Sequence, residues 1–192
     1  MVVRVVLQAL SNASLDSDFQ AGMATSGGIQ SVLDALKEFP AHAEDPILCE
    51  NACGALHNLG IDSPKNKLIL LKAGVLRTAV QIAEQHARVA GCAAQACGII
   101  NTVTVTQESM SQSELEAAAR SCLAVMLMQS SDAGVQRVVC SALRNLSVHA
   151  ATRAVIVEAG GITSGLSALT RHMADPVIVS ACTGMLSNVC VD

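Results

Sequence analysis

The sequence predicts an all-α fold made of about four stacked repeats of three helices each. The first observation is a short motif, Ala-Leu-Arg-Asn at residues 142–145, which recurs in variant form at four other places. Its asparagines are 46, 43, 44 and 43 residues apart, and a near-constant period in the forties is typical of a helical repeat array. The second observation is composition: 51% of the residues are apolar but only 1% are aromatic, which favours close-packed helices over a β-sandwich. The five asparagines are Asn12, Asn58, Asn101, Asn145 and Asn188.

Apolar residues at helical spacing, separated by turn signals, predict the individual helices. The segment 29–39, for example, carries apolar residues at the i, i+3, i+4, i+7 positions of an amphipathic helix. Pro46 and Pro176 suit the first turn of a helix, because their missing N–H would be unpaired there anyway, and Asp175 is placed to cap the last helix. The helices named by this pattern are 1–13, 18–26, 29–39, Pro46–Gly60, 63–73, Val75–Gln85, 113–128, 152–159, 162–173 and 176–190.

A glycine recurs between the short and the medium helix of a unit. Gly28, Gly74 and Gly161 each lie 16 residues after an asparagine, at a tight corner that favours a residue without a Cβ atom. The third unit departs from this pattern, because Ala117 stands at that place inside one longer helical segment, 113–128. We therefore expect the first short helix of this unit to be reduced, shifted or merged.

These features resemble the armadillo repeat. The resemblance rests on the Ala-Leu-x-Asn segments, the Ala-Gly-Gly-Ile corner at residues 159–162 and the three-helix period, and it extends over essentially the whole chain. HEAT repeats are the nearest alternative, but the glycine corner and the recurring asparagine favour armadillo. The resemblance implies a single right-handed α-solenoid over residues 1–192, divided into the third helix of a truncated repeat (1–13) and repeats at 18–60, 63–104, 106–148 (divergent) and 151–191.

In armadillo arrays the third helices line a concave groove, and the asparagine on each is held to bond the backbone of an extended bound peptide. The resemblance therefore makes the five recurring asparagines candidate groove residues. An amide side chain offers both a donor and an acceptor, which fits a peptide unit whatever its side chain. The alternative interpretation is that these asparagines cap or brace neighbouring helix ends.

Charges beside the asparagines indicate which peptide such a groove would take. Nuclear-import adaptors of this family clasp lysines with a Trp four residues before the Asn, but this sequence contains no Trp, which argues against a nuclear-localisation-signal receptor. Arg4, His57, Arg137 and Arg144 lie one or eight residues before an asparagine and give both ends of the groove a mild basic character. We therefore expect a protein partner with an extended segment that is acidic or partly apolar. Ordinary solvated arginines are the alternative.

Composition and motifs argue against several other function classes. The net charge of −4 argues against nucleic acid, and the longest apolar run, residues 122–128, is far shorter than the roughly 18 residues of a membrane-spanning helix. Cys49, Cys53 and His57 fall at i, i+4 and i+8 of one helix, but with no visible fourth ligand, core cysteines are the simpler interpretation. The eight cysteines form no CxxC pair and are expected to be reduced. No catalytic motif occurs, so we expect no enzyme, cofactor or metal.

Both ends of the sequence favour association. Residues 177–191 contain no charge and residues 1–15 contain only Arg4, whereas terminal units of a solenoid need polar outer faces. The leading interpretation is a non-enzymatic interaction scaffold that is a segment of a longer array. The alternative is an assembly module that acts through homo-oligomerisation by its terminal helices or through end-to-end stacking. With no secretory signal, a cytoplasmic location is expected, and a nuclear one is compatible with the sequence.

Overall fold

The structure is a computed structural model that describes residues 2–37, 44–106 and 110–190, and in these residues it contains twelve α-helices and no strand. Two helices, Pro46–Gly60 and Val75–Gln85, have the predicted bounds. Every other described end of a predicted helix lies within two residues of its predicted position. The predicted end of the 29–39 helix lies outside the described residues. The helices are α1 Val2–Ala13, α2 Ser17–Thr25, α3 Gly28–Lys37, α4 Pro46–Gly60, α5 Pro64–Lys72, α6 Val75–Gln85, α7 Ala90–Thr104, α8 Gln112–Met128, α9 Ala133–Leu146, α10 Ala150–Glu158, α11 Gly161–Arg171 and α12 Pro176–Val189.

Aspartate side chains cap the starts of the long helices α4, α9 and α12. Asp45 and Asp175 each accept hydrogen bonds from two backbone N–H groups in the first turn of α4 and α12, and Asp132 does the same once for α9. A carboxylate at this position accepts hydrogen bonds from backbone N–H groups that have no partner within the helix, and its negative charge is favourable at the N-terminal end of the helix dipole. The prediction that Asp175 caps the last helix, with Pro176 as its first residue, is confirmed.

The glycine corners lie one residue earlier than predicted in two of the three units. Gly27, Gly74 and Gly160 adopt left-handed backbone conformations with φ of 81°, 80° and 79°. The break lies at the predicted doublets Gly27-Gly28 and Gly160-Gly161, but the count from the asparagines named the second glycine of each, whereas the first glycine makes the turn. The second glycine begins the following helix, and for Gly161 the close approach of the preceding helix leaves no room for a side chain.

The helices pack as stacked units around one continuous core. The third helices of successive units, α1, α4, α7, α9 and α12, pack side by side, and the second helices α3, α6, α8 and α11 each pack against one of them. As expected for the third unit, the described residues between α7 and α8 form no separate short helix, and α8 contacts α6, α9 and α10. The repeat-like packing of an all-helical chain is thus confirmed, while the right-handed armadillo solenoid stays a prediction.

Candidate functional site

The predicted site residues lie along the row of third helices, which we call the third-helix face. It consists of the exposed and half-buried side chains of α1, α4, α7, α9 and α12 around the five asparagines. Each third helix packs against the next one, so residues of equivalent register meet across successive units. The geometry of this face is therefore set by contacts between residues about one repeat apart.

Three of the asparagines brace neighbouring third helices. Asn58 Nδ2 donates to the backbone oxygen of Ser11 at 3.0 Å, and Asn145 Nδ2 donates to Asn101 Oδ1 at 2.8 Å. Asn188 Nδ2 likewise donates to the Ser147 hydroxyl, 2.9 Å away. These bonds agree with the alternative interpretation, in which the asparagines brace neighbouring helix ends, because each bond connects the end of one third helix to the next.

The braces leave part of the hydrogen-bonding capacity of the asparagines available. Asn58 makes one bond through Nδ2, so its second amide hydrogen and its Oδ1 atom can still meet a peptide unit. Asn12 is exposed, and among the described residues its side chain has no hydrogen-bond partner. Bracing and peptide binding are thus compatible at these positions, and the second role stays a proposal.

Two of the predicted basic residues are engaged in ion pairs with helix caps. Arg4 lies 2.5 Å from Asp45 Oδ2, and Arg137 Nε lies 2.6 Å from Asp175 Oδ2. Desolvation alone would raise the pKa of Asp45, but the bond from Arg4, the backbone N–H groups of the first turn of α4 and the charge of Arg4 hold that pKa below its usual value. Both arginine side chains remain about half exposed, so these pairs add little stability and reduce the positive charge that the face offers.

Glycines on the face make room for larger side chains of the preceding third helix. A Cβ atom on Gly184 would lie 2.8 Å from Arg144 Nε, and one on Gly98 would lie 2.7 Å from His57 Nδ1. Neither glycine was identified from the sequence as a contact residue. The only indication in the sequence was the position of each glycine, since Gly184 lies four residues before Asn188 and Gly98 lies three residues before Asn101. As a result, the side chains of Arg144 and His57 pack closely against the next third helix, at Gly184 and Gly98.

His57 contributes hydrogen bonding to the face and little positive charge. Its Nδ1 atom lies 3.2 Å from Gln95 Oε1, and the side chain is half-buried between α4 and α7. Burial lowers the pKa of His57, against the opposing effect of the Gln95 bond, so the ring is neutral near pH 7. His57 therefore adds less positive charge to the face than a solvated histidine would, and its role in a binding groove stays a prediction.

We expect His57→Gln to remove part of the acid sensitivity of the fold. A histidine whose folded pKa is depressed binds its proton more weakly than in the unfolded chain, so stability is lost as pH falls below the unfolded value of about 6.5. Urea unfolding of both proteins at several pH values between 7.5 and 5 measures this effect. As the pH falls, the free energy of unfolding of the wild type should decrease more than that of the variant. Parallel curves for the two proteins would contradict this assignment.

The remaining candidate chemistry does not assemble into a metal centre. Cys49 and Cys53 are buried in the core, and His57 is bonded to Gln95. Across residues 2–37, 44–106 and 110–190, no group of three His, Cys, Asp or Glu side chains is placed to hold a metal ion. All eight cysteines are free thiols, seven of them buried, with Cys140 Sγ and Cys182 Sγ 3.3 Å apart. None of the described helices combines the length and apolar character needed to cross a bilayer.

Comparison with known proteins adds little to this geometry. No protein-family model matches the sequence, and no curated protein matches it. One similar solved structure is that of an engineered protein, determined by the Northeast Structural Genomics Consortium. It is 17% identical, the match covers 97% of this chain and 89% of that one, and the TM-score is 0.47. A likeness at this level carries no argument about fold type or function.

Proposed function

We propose that the protein is a non-enzymatic interaction scaffold that binds an extended segment of a partner protein along the third-helix face. The observation that carries this proposal is the unbroken side-by-side packing of five third helices. That packing provides a long surface whose repeat spacing suits several successive contacts with one extended chain. Extended segments gain affinity from main-chain hydrogen bonds, and specificity from a few side-chain contacts.

The charge of the face supports a segment with an acidic side chain near Arg144. Arg144 is exposed and lies across Gly184, and within the described parts of the chain no carboxylate is within ion-pair distance of it. Arg4 and Arg137, by contrast, already have aspartate partners. A guanidinium can bind a carboxylate through two parallel hydrogen bonds, which makes Arg144 the strongest candidate for recognition.

We expect charge reversal at Arg144 to weaken binding of peptides selected against the wild-type protein. Short unstructured peptides would be selected from a display library on the folded chain, and their affinities measured by fluorescence anisotropy. Arg144→Glu should reduce the affinity of acidic peptides by at least about tenfold, because attraction to a carboxylate becomes repulsion. Asparagine variants are less suitable for this test, because losing the braces also changes stability.

A matched control is available on the opposite layer of the molecule. Arg120 is exposed on the second helix α8, so Arg120→Glu makes the same charge change away from the third-helix face. It should leave the peptide affinities unchanged. Amide chemical shifts of the 19.8 kDa chain would locate the peptide directly. The proposal fails if both variants weaken binding equally, or if the perturbed residues lie outside the third-helix face.

A further inference from the structure

Cysteine side chains meet in pairs where neighbouring helices pack against each other. Cys140 of α9 and Cys182 of α12 are both fully buried, and their Sγ atoms lie 3.3 Å apart. Two further buried pairs are in hydrogen-bond contact between α4, α7 and α8, namely Cys49 with Cys92 and Cys97 with Cys122. The core of the described chain thus holds pairs of thiols that each join two helices.

The contact between Cys140 and Cys182 is close to the geometry of a covalent bond. A disulfide has an S–S length of about 2.04 Å, so the two sulfur atoms would have to approach each other by about 1.3 Å. Both cysteines are free thiols, so neither sulfur has to leave another covalent partner. Because the two residues lie 42 positions apart on different units, a bond between them would join α9 to α12.

Helix α12 is packed on fewer sides than the third helices that carry the other pairs. Helix α7 lies between two third helices, α4 and α9, whereas among the described residues α12 has a third helix, α9, on one side only. Thr183 of α12 is exposed, although the residues that also lie five before the asparagines of α4, α7 and α9 are all fully buried: Cys53, Ala96 and Cys140. Local separation of a helix costs less free energy than unfolding of the whole chain. Brief opening of α12 should therefore expose Cys140 and Cys182 before the central pairs.

The two thiols of this pair differ in how readily they ionise. The hydrogen bond with Cys140 lowers the pKa of Cys182, against the opposing effect of burial. The same hydrogen bond, together with burial, raises the pKa of Cys140. Cys182 is therefore the thiol that ionises first, with the S–H group of Cys140 donating to its thiolate. Since the thiolate is the reactive form of cysteine, Cys182 is the nucleophile of the pair.

We propose that Cys140 and Cys182 are a redox-sensitive pair, in which hydrogen peroxide converts the two thiols into a disulfide between α9 and α12. The Cys182 thiolate attacks one peroxide oxygen and the O–O bond breaks, which leaves a sulfenic acid on Cys182 and a hydroxide that takes up a proton to become water. The sulfur of Cys140 then attacks the sulfur of Cys182, the S–O bond breaks, and the hydroxyl group leaves with the Cys140 proton as a second water. Overall, two thiols lose two hydrogen atoms and one peroxide is reduced to two waters.

The disulfide would fix α12 on α9 without changing the charge of the third-helix face. Because the cross-link restricts the unfolded chain, the oxidised protein should resist unfolding more strongly than the reduced protein. The bond would lie close to the contact between Arg144 and Gly184, which are four residues after Cys140 and two after Cys182. This inference concerns the core between two helices, so it holds or fails independently of the peptide binding proposed above.

The test exposes the folded full chain to hydrogen peroxide in a Cys190→Ser background, since Cys190 is exposed and would cross-link separate molecules. The remaining thiols are then alkylated in denaturant, and mass spectrometry after trypsin digestion detects a disulfide between peptides 138–144 and 172–192. This disulfide should form at least about tenfold faster than one within either central pair. The urea midpoint should rise on oxidation and return after dithiothreitol, which reduces a disulfide but leaves methionine sulfoxide unchanged.

Matched alanine variants and an internal reporter of oxidation complete the design. Cys182→Ala should abolish the product and the shift in the urea midpoint, whereas Cys122→Ala, the same change in a central pair, should leave both. Met173 is 76% exposed, so its sulfoxide shows that enough oxidant was present. The proposal is overturned if Cys140 and Cys182 remain fully alkylated once Met173 is oxidised. It is also overturned if the central pairs oxidise equally fast, because general unfolding and not the α9–α12 interface would then govern the reaction.

Discussion

Gln136→Leu is expected to lower the free energy of unfolding by about 2–3 kcal/mol. Gln136 lies in α9 with 1% exposure, and its Nε2 atom donates to the backbone oxygens of Met126 at 2.8 Å and Gln129 at 3.1 Å. Both oxygens belong to the end of α8, where carbonyl groups have no partner inside their own helix. Leucine has a similar size but no donor, so the Met126 carbonyl would lose its partner, at about 1–3 kcal/mol, while the Gln129 carbonyl would keep the bond that it accepts from the Asp132 N–H at 3.0 Å. The greater apolar character of the leucine side chain would offset part of this loss.

Urea unfolding followed by circular dichroism measures this effect, and Gln129 provides the control. Gln129 is half-buried and its Nε2 atom donates a single bond, to the backbone oxygen of Ala87 at 2.9 Å. Gln129→Leu removes one donor at a site that water can reach, so its cost should be about 1 kcal/mol. Equal losses for the two variants would show that burial of the carbonyls at the end of α8 is not the cause.

Gln136 also shows what could not be predicted from the sequence. Gln136 lies nine residues before Asn145, and the residues nine before the other recurring asparagines are small and apolar: Val3, Cys49, Cys92 and Val179. This register position alone therefore indicates a small apolar residue. The column is indeed buried at Cys49, Cys92 and Gln136. Counting positions along the sequence does not show which groups face Gln136 across the interface between α8 and α9. The carbonyls that Gln136 satisfies belong to another helix, and their position depends on how α8 and α9 pack.

Local signals predicted the helices well, and contacts between units were harder to predict. The bounds of α4 and α6 follow from proline, glycine and apolar spacing, which act within a few residues. Asp175 was identified as a cap and Arg137 as a basic residue, but their ion pair joins residues 38 positions apart. Such a pair depends on the stacking of one unit on the next, and a single repeat does not contain that information.

The two ends of the described chain differ more than their composition indicates. Both were expected to be apolar and open, since neither carries many charges. In the structure, Ile178, Cys182 and Met185 of α12 are fully buried, because α12 packs against both α9 and α11. Helix α1 has no such cover among the described residues, and Val2 and Val6 remain exposed. The last unit nevertheless carries exposed apolar side chains of its own, since Leu166 and Met173 are 52% and 76% exposed, so the two ends differ in which helix is uncovered.

Gly161→Ala is expected to destabilise the protein by about 2–3 kcal/mol, against the trend for glycine in helices. Gly161 is the first residue of α11, and helix propensity alone would give alanine an advantage of up to about 1 kcal/mol. However, a Cβ atom there would lie 2.6 Å from the backbone oxygen of Ile156, closer than real Cβ contacts allow. Because that oxygen belongs to the main chain of α10, relief requires a shift of one helix against another.

Gly28→Ala separates this steric cause from a general effect of the glycine corner. Gly28 has the same place in its own doublet, but a Cβ atom there would meet mainly the Met23 side chain, with its Sδ atom 2.5 Å away. A thioether can rotate away, and Met23 borders an open cleft, so the cost should be below about 1 kcal/mol. Thermal and urea unfolding of both variants would decide the matter. If Gly28→Ala were as damaging as Gly161→Ala, the corner itself, and not the backbone oxygen of Ile156, would be what excludes alanine.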